Sequence, residues 1–323
     1  MNKIIASALF GILSFAIHSG EAIAEKYPNK TVTIVSPFAV GGIADVFSRV
    51  LAQSFGDQLN VPFVVTNKTG GGGNIGSDFV AKSPPDGYTL VMGNIGSHAV
   101  NPYLIKNMKY DPLKDFEPIS FVLDAEGLLV INSNIPANNL KEFIQFAKGN
   151  PKKLTYGSGG VGTTSHLAGE LFKEKTGVDL IHVPYKGNNP AITDLIGGQT
   201  DLMFATMPTV LPHVQSGRLK AIAVLGAQRS KALPDIPTLG EEVPGFEVNN
   251  WIGLFAPAGT PKEIVNFLNM KTQAVMTTPE VQERLKAAGS RFQPSSPESF
   301  KKYQISEAEK WKKILQDAGV SPE

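Results

Sequence analysis

A chain of 323 residues, 42% hydrophobic and 18% charged, is long enough for about two cored domains and too apolar to be disordered. Its 30 Lys+Arg against 29 Asp+Glu leave a formal charge of +1, which provides no electrostatic footprint for nucleic acid. The absence of cysteine excludes disulfides, thiolate zinc sites and cysteine nucleophiles together.

In chain order, the first segment reads as an export signal. Lys3 gives a positive start, residues 4–17 form an apolar run, and Ala22-Ile23-Ala24 is a small-x-small cleavage site. Residues 1–24 are therefore expected to be removed, with the mature chain starting at Glu25; a buried first helix is the plainer alternative. The run is too short to span a bilayer comfortably, and no cysteine follows the cleavage point for a lipid anchor. The expectation is an unanchored monomer in the periplasm.

Residues 31–36 form a β-branched run and lead into the loop 37–42. Residues 44–55 carry Val46, Phe47, Val50, Leu51 and Phe55 at helical spacing. Residues 62–66 read as a strand, followed by Asn67 and a glycine cluster, and residues 75–82 as a short helix stopped by Pro84-Pro85. Asp86-Gly87 turns the chain into a strand at 88–92. Strand, glycine loop, helix and strand make the βαβ rhythm of a mainly parallel sheet.

The rhythm returns with strands at 128–132, 154–157, 180–184, 202–205 and 220–225, and helices at 140–148, 165–176, 190–197 and 208–216. The tail is helical at 261–276, 279–288 and 297–318, each opened by a proline whose missing N–H does no harm there. Two such clusters without a flexible linker predict two α/β lobes. Crossings near Asp124 and Trp251 place residues 25–124 with 251–323 in one lobe and residues 125–250 in the other.

Two loops match G-x-G-x-x-G, at residues 71–76 and 157–162, but neither is followed by an acid at the end of the next strand. No nicotinamide or other cofactor is expected. A glycine turn feeding a helix still presents unpaired N–H groups at the positive end of a helix dipole, which suits an anion. Such turns occur at Gly41-Gly42, at residues 157–164 with the hydroxyls of Ser158, Thr163 and Thr164, and near residues 70–76. Ordinary capping would explain any one of them.

No metal site is expected, since His98, His166, His182 and His213 lack zinc spacing. There is no G-x-S-x-G elbow, and nothing in the spacing recommends a Ser158, His166 and Asp201 triad over chance. His182 lies in an apolar strand and reads as a core or edge residue, and Asp45 reads as a first-turn carboxylate complementing its helix dipole.

Together the motifs resemble the tripartite tricarboxylate transporter receptor family, also called Bug proteins. Pro37-Phe38-Ala39-Val40-Gly41-Gly42-Ile43-Ala44-Asp45 is similar to its P-[FY]-x-P-G-G-x-x-D opening, with Val40 where proline is common. Residues 67–76, Pro85-Asp86-Gly87-Tyr88-Thr89-Leu90, Val183-Pro184-Tyr185-Lys186-Gly187 and Gly198-Gln199-Thr200-Asp201 continue the match. Leu233-Pro234-Asp235-Ile236-Pro237-Thr238 and Ala256-Pro257-Ala258-Gly259-Thr260-Pro261 extend it through nearly the whole mature chain.

The resemblance implies a two-lobed Venus-flytrap fold and a periplasmic receptor for a small carboxylated solute: a di- or tricarboxylate, an acidic amino acid or an aromatic carboxylate. The implied partners are the membrane subunits of a tripartite transporter, or a sensor. Carried over by position, Phe38, Ala39, Gly41, Gly42 and Ala44 form the first wall, with Gly93, Asn94 and Ser97 beside them. Ser158, Thr163, Thr164, Ala205 and Thr206 form the second wall, Tyr185 a rim contact, and Asp201 a partner for an amine. The alternative is an exported α/β hydrolase acting on carboxylate esters.

Overall fold

The computed structural model describes residues 27–317 and residue 322, apart from residues 152 and 249; the expected signal segment lies outside them. The first half of the chain runs β1 (Val32–Ser36), α1 (Ile43–Leu59), β2 (Phe63–Asn67), α2 (Asn74–Ala81), β3 (Thr89–Asn94) and β4 (Phe116–Ala125). Then follow β5 (Gly127–Asn132), α3 (Leu140–Gly149), β6 (Leu154–Ser158), α4 (Thr164–Thr176), β7 (Leu180–Pro184) and α5 (Asn188–Ile196). The chain continues through β8 (Leu202–Thr206), α6 (Met207–Gln215), β9 (Leu219–Val224) and α7 (Leu239–Glu242). It closes with β10 (Asn250–Pro257), α8 (Lys262–Met276), α9 (Pro279–Ala287), β11 (Ser290–Arg291) and α10 (Pro297–Asp317).

The strands form two sheets, ordered β11-β4-β10-β3-β1-β2 and β7-β6-β8-β5-β9. The strands of βαβ units pair in parallel: β1 with β2 and β3, and β6 with β7 and β8. Their apolar side chains are buried because helices cover the sheets, as the near-continuous runs in Val32–Ser36 and Leu202–Thr206 require.

The mainly parallel sheet expected from the rhythm is corrected: both sheets are mixed. β10 pairs antiparallel with β3 and β4, and β5 antiparallel with β8 and β9. The reason is connectivity. β4 carries the chain out of the first sheet, and β5 begins two residues after β4 ends, in the second. β10 brings the chain back alongside β4, with Asn250 opposite Ala125. A strand leaving and a strand returning through one junction must run in opposite directions.

The returning chain completes the first sheet. Phe300 of α10 packs edge-on against Trp251 of β10 at 5.7 Å, and both are buried. Gln304 of α10 donates to the carbonyls of His98 (2.7 Å) and Pro112 (3.0 Å), tying the C-terminal helix to the loops after β3. Among the described residues no helix is long and apolar enough to cross a membrane. The C-terminal ends of β1, β3, β6, β7 and β8 all open on the space between the sheets, where an open α/β sheet places its ligand.

Candidate functional site

That space is a cleft of about 880 Å³. Five helices begin on it: α1 at Gly42, α2 at Gly73, α4 at Thr163, α5 at Gly187 and α6 at Thr206, and none of these N-cap residues makes a side-chain cap hydrogen bond. The first N–H groups of a helix have no partner inside it, which leaves those of α1 and α4 for the cleft, whereas the Met207 N–H at the start of α6 donates to the Glu126 carbonyl. The lining carries one charged side chain, Lys186, which is exposed. The positive character of the site therefore comes from backbone rather than from cationic side chains.

The loop before α1 is held from behind. Asp45 is 1% exposed, and its carboxylate accepts from the Gly41 N–H (3.0 Å), from Arg49 through two nitrogens (3.0 and 3.1 Å) and from the Asn67 amide (2.7 Å). Asn67 also donates to the Phe38 carbonyl at 3.2 Å. Burial pushes the Asp45 carboxyl up, but these donors outweigh it and hold it below the usual carboxylate range. Gly41, at φ 79°, takes the left-handed turn that a side chain would strain. Asp45 is thus a brace for the loop, more than the dipole complement expected of it.

The glycine loops differ from expectation in one respect. Several of their own N–H groups are engaged internally. Gly159 donates to Ser165 Oγ (3.1 Å), Gly160 to Ser158 Oγ (3.1 Å) and Gly162 to His166 Nδ1 (3.2 Å). In the turn before α2, Gly73 and Ile75 both donate to the Gly70 carbonyl, at 3.1 and 3.4 Å. What remains for an anion is the first turn of α1 and of α4, the helices these loops aim.

Beneath the second loop lies a polar stack. Ser158 Oγ is 2.6 Å from His182 Nε2, and His182 stacks between Tyr156 (4.7 Å) and His166 (4.4 Å). Tyr156 donates to Glu170 at 2.6 Å, and Glu170 pairs with Lys173. Burial and the neighbouring His166 push His182 down to about 4. His98, fully buried beneath the other wall, is pushed by burial down to about 3. Ser158 is fully buried, and Asp201 accepts from the Thr155 N–H (2.7 Å) and hydroxyl (2.9 Å) instead of approaching either histidine. The Ser158, His166 and Asp201 constellation does not assemble, and no group of three metal-ligating side chains occurs among the described residues.

Of the residues singled out from the sequence, Phe38, Ala39, Gly42, Ala44, Asn94, Thr163, Thr164, Tyr185, Ala205 and Thr206 line the cleft. Gly41, Gly93, Ser97, Ser158 and Asp201 lie outside the lining. A Cβ at Gly93 would overlap the His98 ring, so that glycine makes room for the core. Ser97 accepts from the Asn94 N–H at 3.2 Å and sits 2.9 Å from His98 Nδ1, which orients Asn94 from below. The sequence reading missed Lys186 and Asn188, which the start of a helix after β7 could have revealed. It also missed Leu104, Ile105, Phe204, Leu225, Val248, Asn250 and Ile252, for which no local motif exists.

The two walls touch. A Cβ at Gly72 would lie 2.5 Å from the Val161 carbonyl, and one at Gly96 would overlap the carbonyl of Gly162. The Asn101 side-chain amide lies between the carbonyls of Gly96 and Gly162, and with its nitrogen turned towards them it donates to both, at 3.2 and 3.1 Å. At the junction Thr164 donates to Asn250 at 2.9 Å. These contacts require the lobes to be closed on one another.

Comparison with known proteins adds the following. The family described as Tripartite tricarboxylate transporter family receptor matches residues 47–320. Protein BugT of Bordetella pertussis is 34% identical over 323 residues, covering 99% of each chain. Among solved structures, Rpa4515 of R. palustris with adipate has a TM-score of 0.88 at 35% identity, covering 92% of this chain and 100% of that one. The periplasmic binding protein BugD has a TM-score of 0.87 at 38% identity over the same shares. MatC from Rhodopseudomonas palustris with bound malate has a TM-score of 0.84 at 32% identity, covering 90% and 100%.

Two outcomes follow from this geometry. His182 and His98 stay neutral in the fold while an unfolded chain protonates its histidines near 6.5. The unfolded state then binds more protons, so stability falls as pH drops from about 6.5 towards 4. The urea midpoint should decline over that window, and His182→Gln should flatten the decline; an unchanged slope contradicts the assignment. Gly96→Ala should hold the lobes apart, so solution scattering should give a larger radius of gyration than the unsubstituted protein, with the cooperative urea transition retained.

Proposed function

The chain belongs to the tripartite tricarboxylate transporter receptor family, and on that premise we propose that its cleft captures one small carboxylated solute in the periplasm and releases it unchanged. The observation that carries this reading is the pair of uncapped helix starts, α1 and α4, facing each other across a lining that contains no acid. A carboxylate between them accepts from first-turn N–H groups of both lobes and is favoured by both dipoles. The adipate and malate in the two related structures are carboxylates of the kind such a site accepts.

The walls belong to different sheets, so a solute bridging α1 and α4 stabilises the closed arrangement over an open one. We take residue 126 and the segment before Asn250 as the hinges; Ala125 and Asn250 pair in β4 and β10 of the first sheet, so the second lobe lies inside the expected 125–250 bounds. The partners of the closed, loaded receptor are the membrane subunits of a tripartite transporter, or a sensor. The hydrolytic alternative has no support in the comparisons, and the buried Ser158 has no route to a substrate in the cleft.

A bound solute at one hundred times its Kd adds about 2.7 kcal/mol to stability, so a melting-temperature screen against carboxylic acids should identify it. Gly42 has φ −70° and ψ 159°, which other residues adopt, but a Cβ there comes within 3.1 Å of the Ala39 carbonyl at the mouth of α1. Gly42→Val should therefore abolish the shift while unfolding remains cooperative. A Gly42→Val protein that retains the full shift refutes the role of α1.

A further inference from the structure

We infer that the solute is a monocarboxylate with an apolar body of ring size or larger, carrying at most a neutral polar group away from its carboxylate. This inference rests on the carboxylate-receptor reading above and narrows it.

The first ground is the supply of donors. α1 and α4 offer complete first turns, but α2, α5 and α6 do not: at the start of α2 the Asn74 and Ile75 N–H groups donate to the Gly71 and Gly70 carbonyls. Pro190 removes an N–H from the first turn of α5. In α6 Pro208 has none to give, and the Met207 N–H already donates to the Glu126 carbonyl at 2.8 Å. The cleft thus has one strong anion pole, shared between the lobes, and lacks a second of equal strength.

The second ground is the rest of the wall. Leu104, Ile105, Phe204, Leu225, Val248 and Ile252 present apolar surface, and the single cation, Lys186, is exposed. A second carboxylate directed into that chamber would be buried without a counter-ion, which is strongly unfavourable for an ionised group. A volume of about 880 Å³ also leaves a four-carbon diacid mostly uncontacted, whereas receptor pockets bury most of a ligand's surface. An amino acid is disfavoured for the converse reason. Its ammonium needs an acid, and the lining contains none; Asp201 and Asp194, which lie outside it, are engaged with Thr155 and with the Tyr185 hydroxyl at 2.7 Å.

The third ground is the polar chain at the junction. Asn250 accepts from Thr164, and its amide reaches the Thr206 hydroxyl at a long 3.4 Å. This loosely engaged amide and hydroxyl suit a neutral hydroxyl or carbonyl on the solute, since neither carries charge.

Calorimetric titration of the mature protein with matched acids tests the inference: benzoate, 4-hydroxybenzoate and cyclohexanecarboxylate against terephthalate, adipate, malate and aspartate. The apolar monocarboxylates should bind at least tenfold more tightly than terephthalate, which differs from benzoate by one carboxylate, and than the aliphatic diacids. Tighter binding of terephthalate, adipate, malate or aspartate overturns the inference and leaves the carboxylate-receptor reading intact. Absence of binding by every acid overturns both. Lys186→Gln provides a second measurement: it should change mono- and diacid affinities by the same factor, below threefold. A tenfold loss confined to the diacids would mean that Lys186 holds a second carboxylate, and would overturn the inference.

Discussion

Helices α1 and α4 begin with N–H groups that no side chain caps, and both begin at the same cleft. Unpaired donors at a helix start are tolerable only where water or a ligand can reach them. That constraint organises the rest of the molecule. It requires two lobes rather than one, because a donor array on each side can enclose an anion that neither side encloses alone. It also explains a lining almost without charged side chains, since an acid there would occupy the donors and an additional guanidinium would be redundant.

Aiming the helices falls to residues behind the wall. On one side the buried Asp45 carboxylate, shared among Gly41, Arg49 and Asn67, fixes the loop that leads into α1. On the other, Ser158, Ser165 and His166 take the N–H groups of the glycine loop that leads into α4. The glycines shape the approach and allow backbone to meet backbone across the cleft at Gly96 and Gly162. In the proposed reading anion recognition falls to the helix starts, and the loop that looks like a phosphate cradle in sequence has the N–H groups of Gly159, Gly160 and Gly162 engaged within itself and the start of α4.

Much of this was legible in the chain. The alternation of β-branched runs and helical spacing located the parallel strands from β1 to β3 and from β6 to β8, because covered strands must be apolar and their helices amphipathic. The positions of Gly42, Thr163 and Thr164 at helix starts followed from glycine and hydroxyl residues at strand ends, and that of Thr206 from the family resemblance. β4 and β10 were not legible: Pro118 and Gly253 interrupt them, and such residues normally argue against a strand interior. Their identity as strands depends on pairing between segments more than a hundred residues apart. Ser97, Ser158 and Asp201 lie outside the lining for a related reason. A hydroxyl or carboxylate beside a loop can turn towards solvent or under the chain, and only the packing of His98, His182 and Thr155 decides which. The apolar deep wall, from Leu104 to Val248, is assembled from both lobes and has no signature in either.

The central claim is that backbone N–H groups at the starts of α1 and α4 hold the carboxylate. Amide proton and nitrogen shifts of Ile43, Ala44, Thr164 and Ser165, followed by transverse-relaxation-optimised NMR during titration with benzoate, test it most directly. The account predicts downfield proton shifts at these amides in both lobes, saturating together, and no such shifts with methyl benzoate. Saturable binding of benzoate that leaves all four amides unmoved, or equal responses to the acid and its ester, would contradict it.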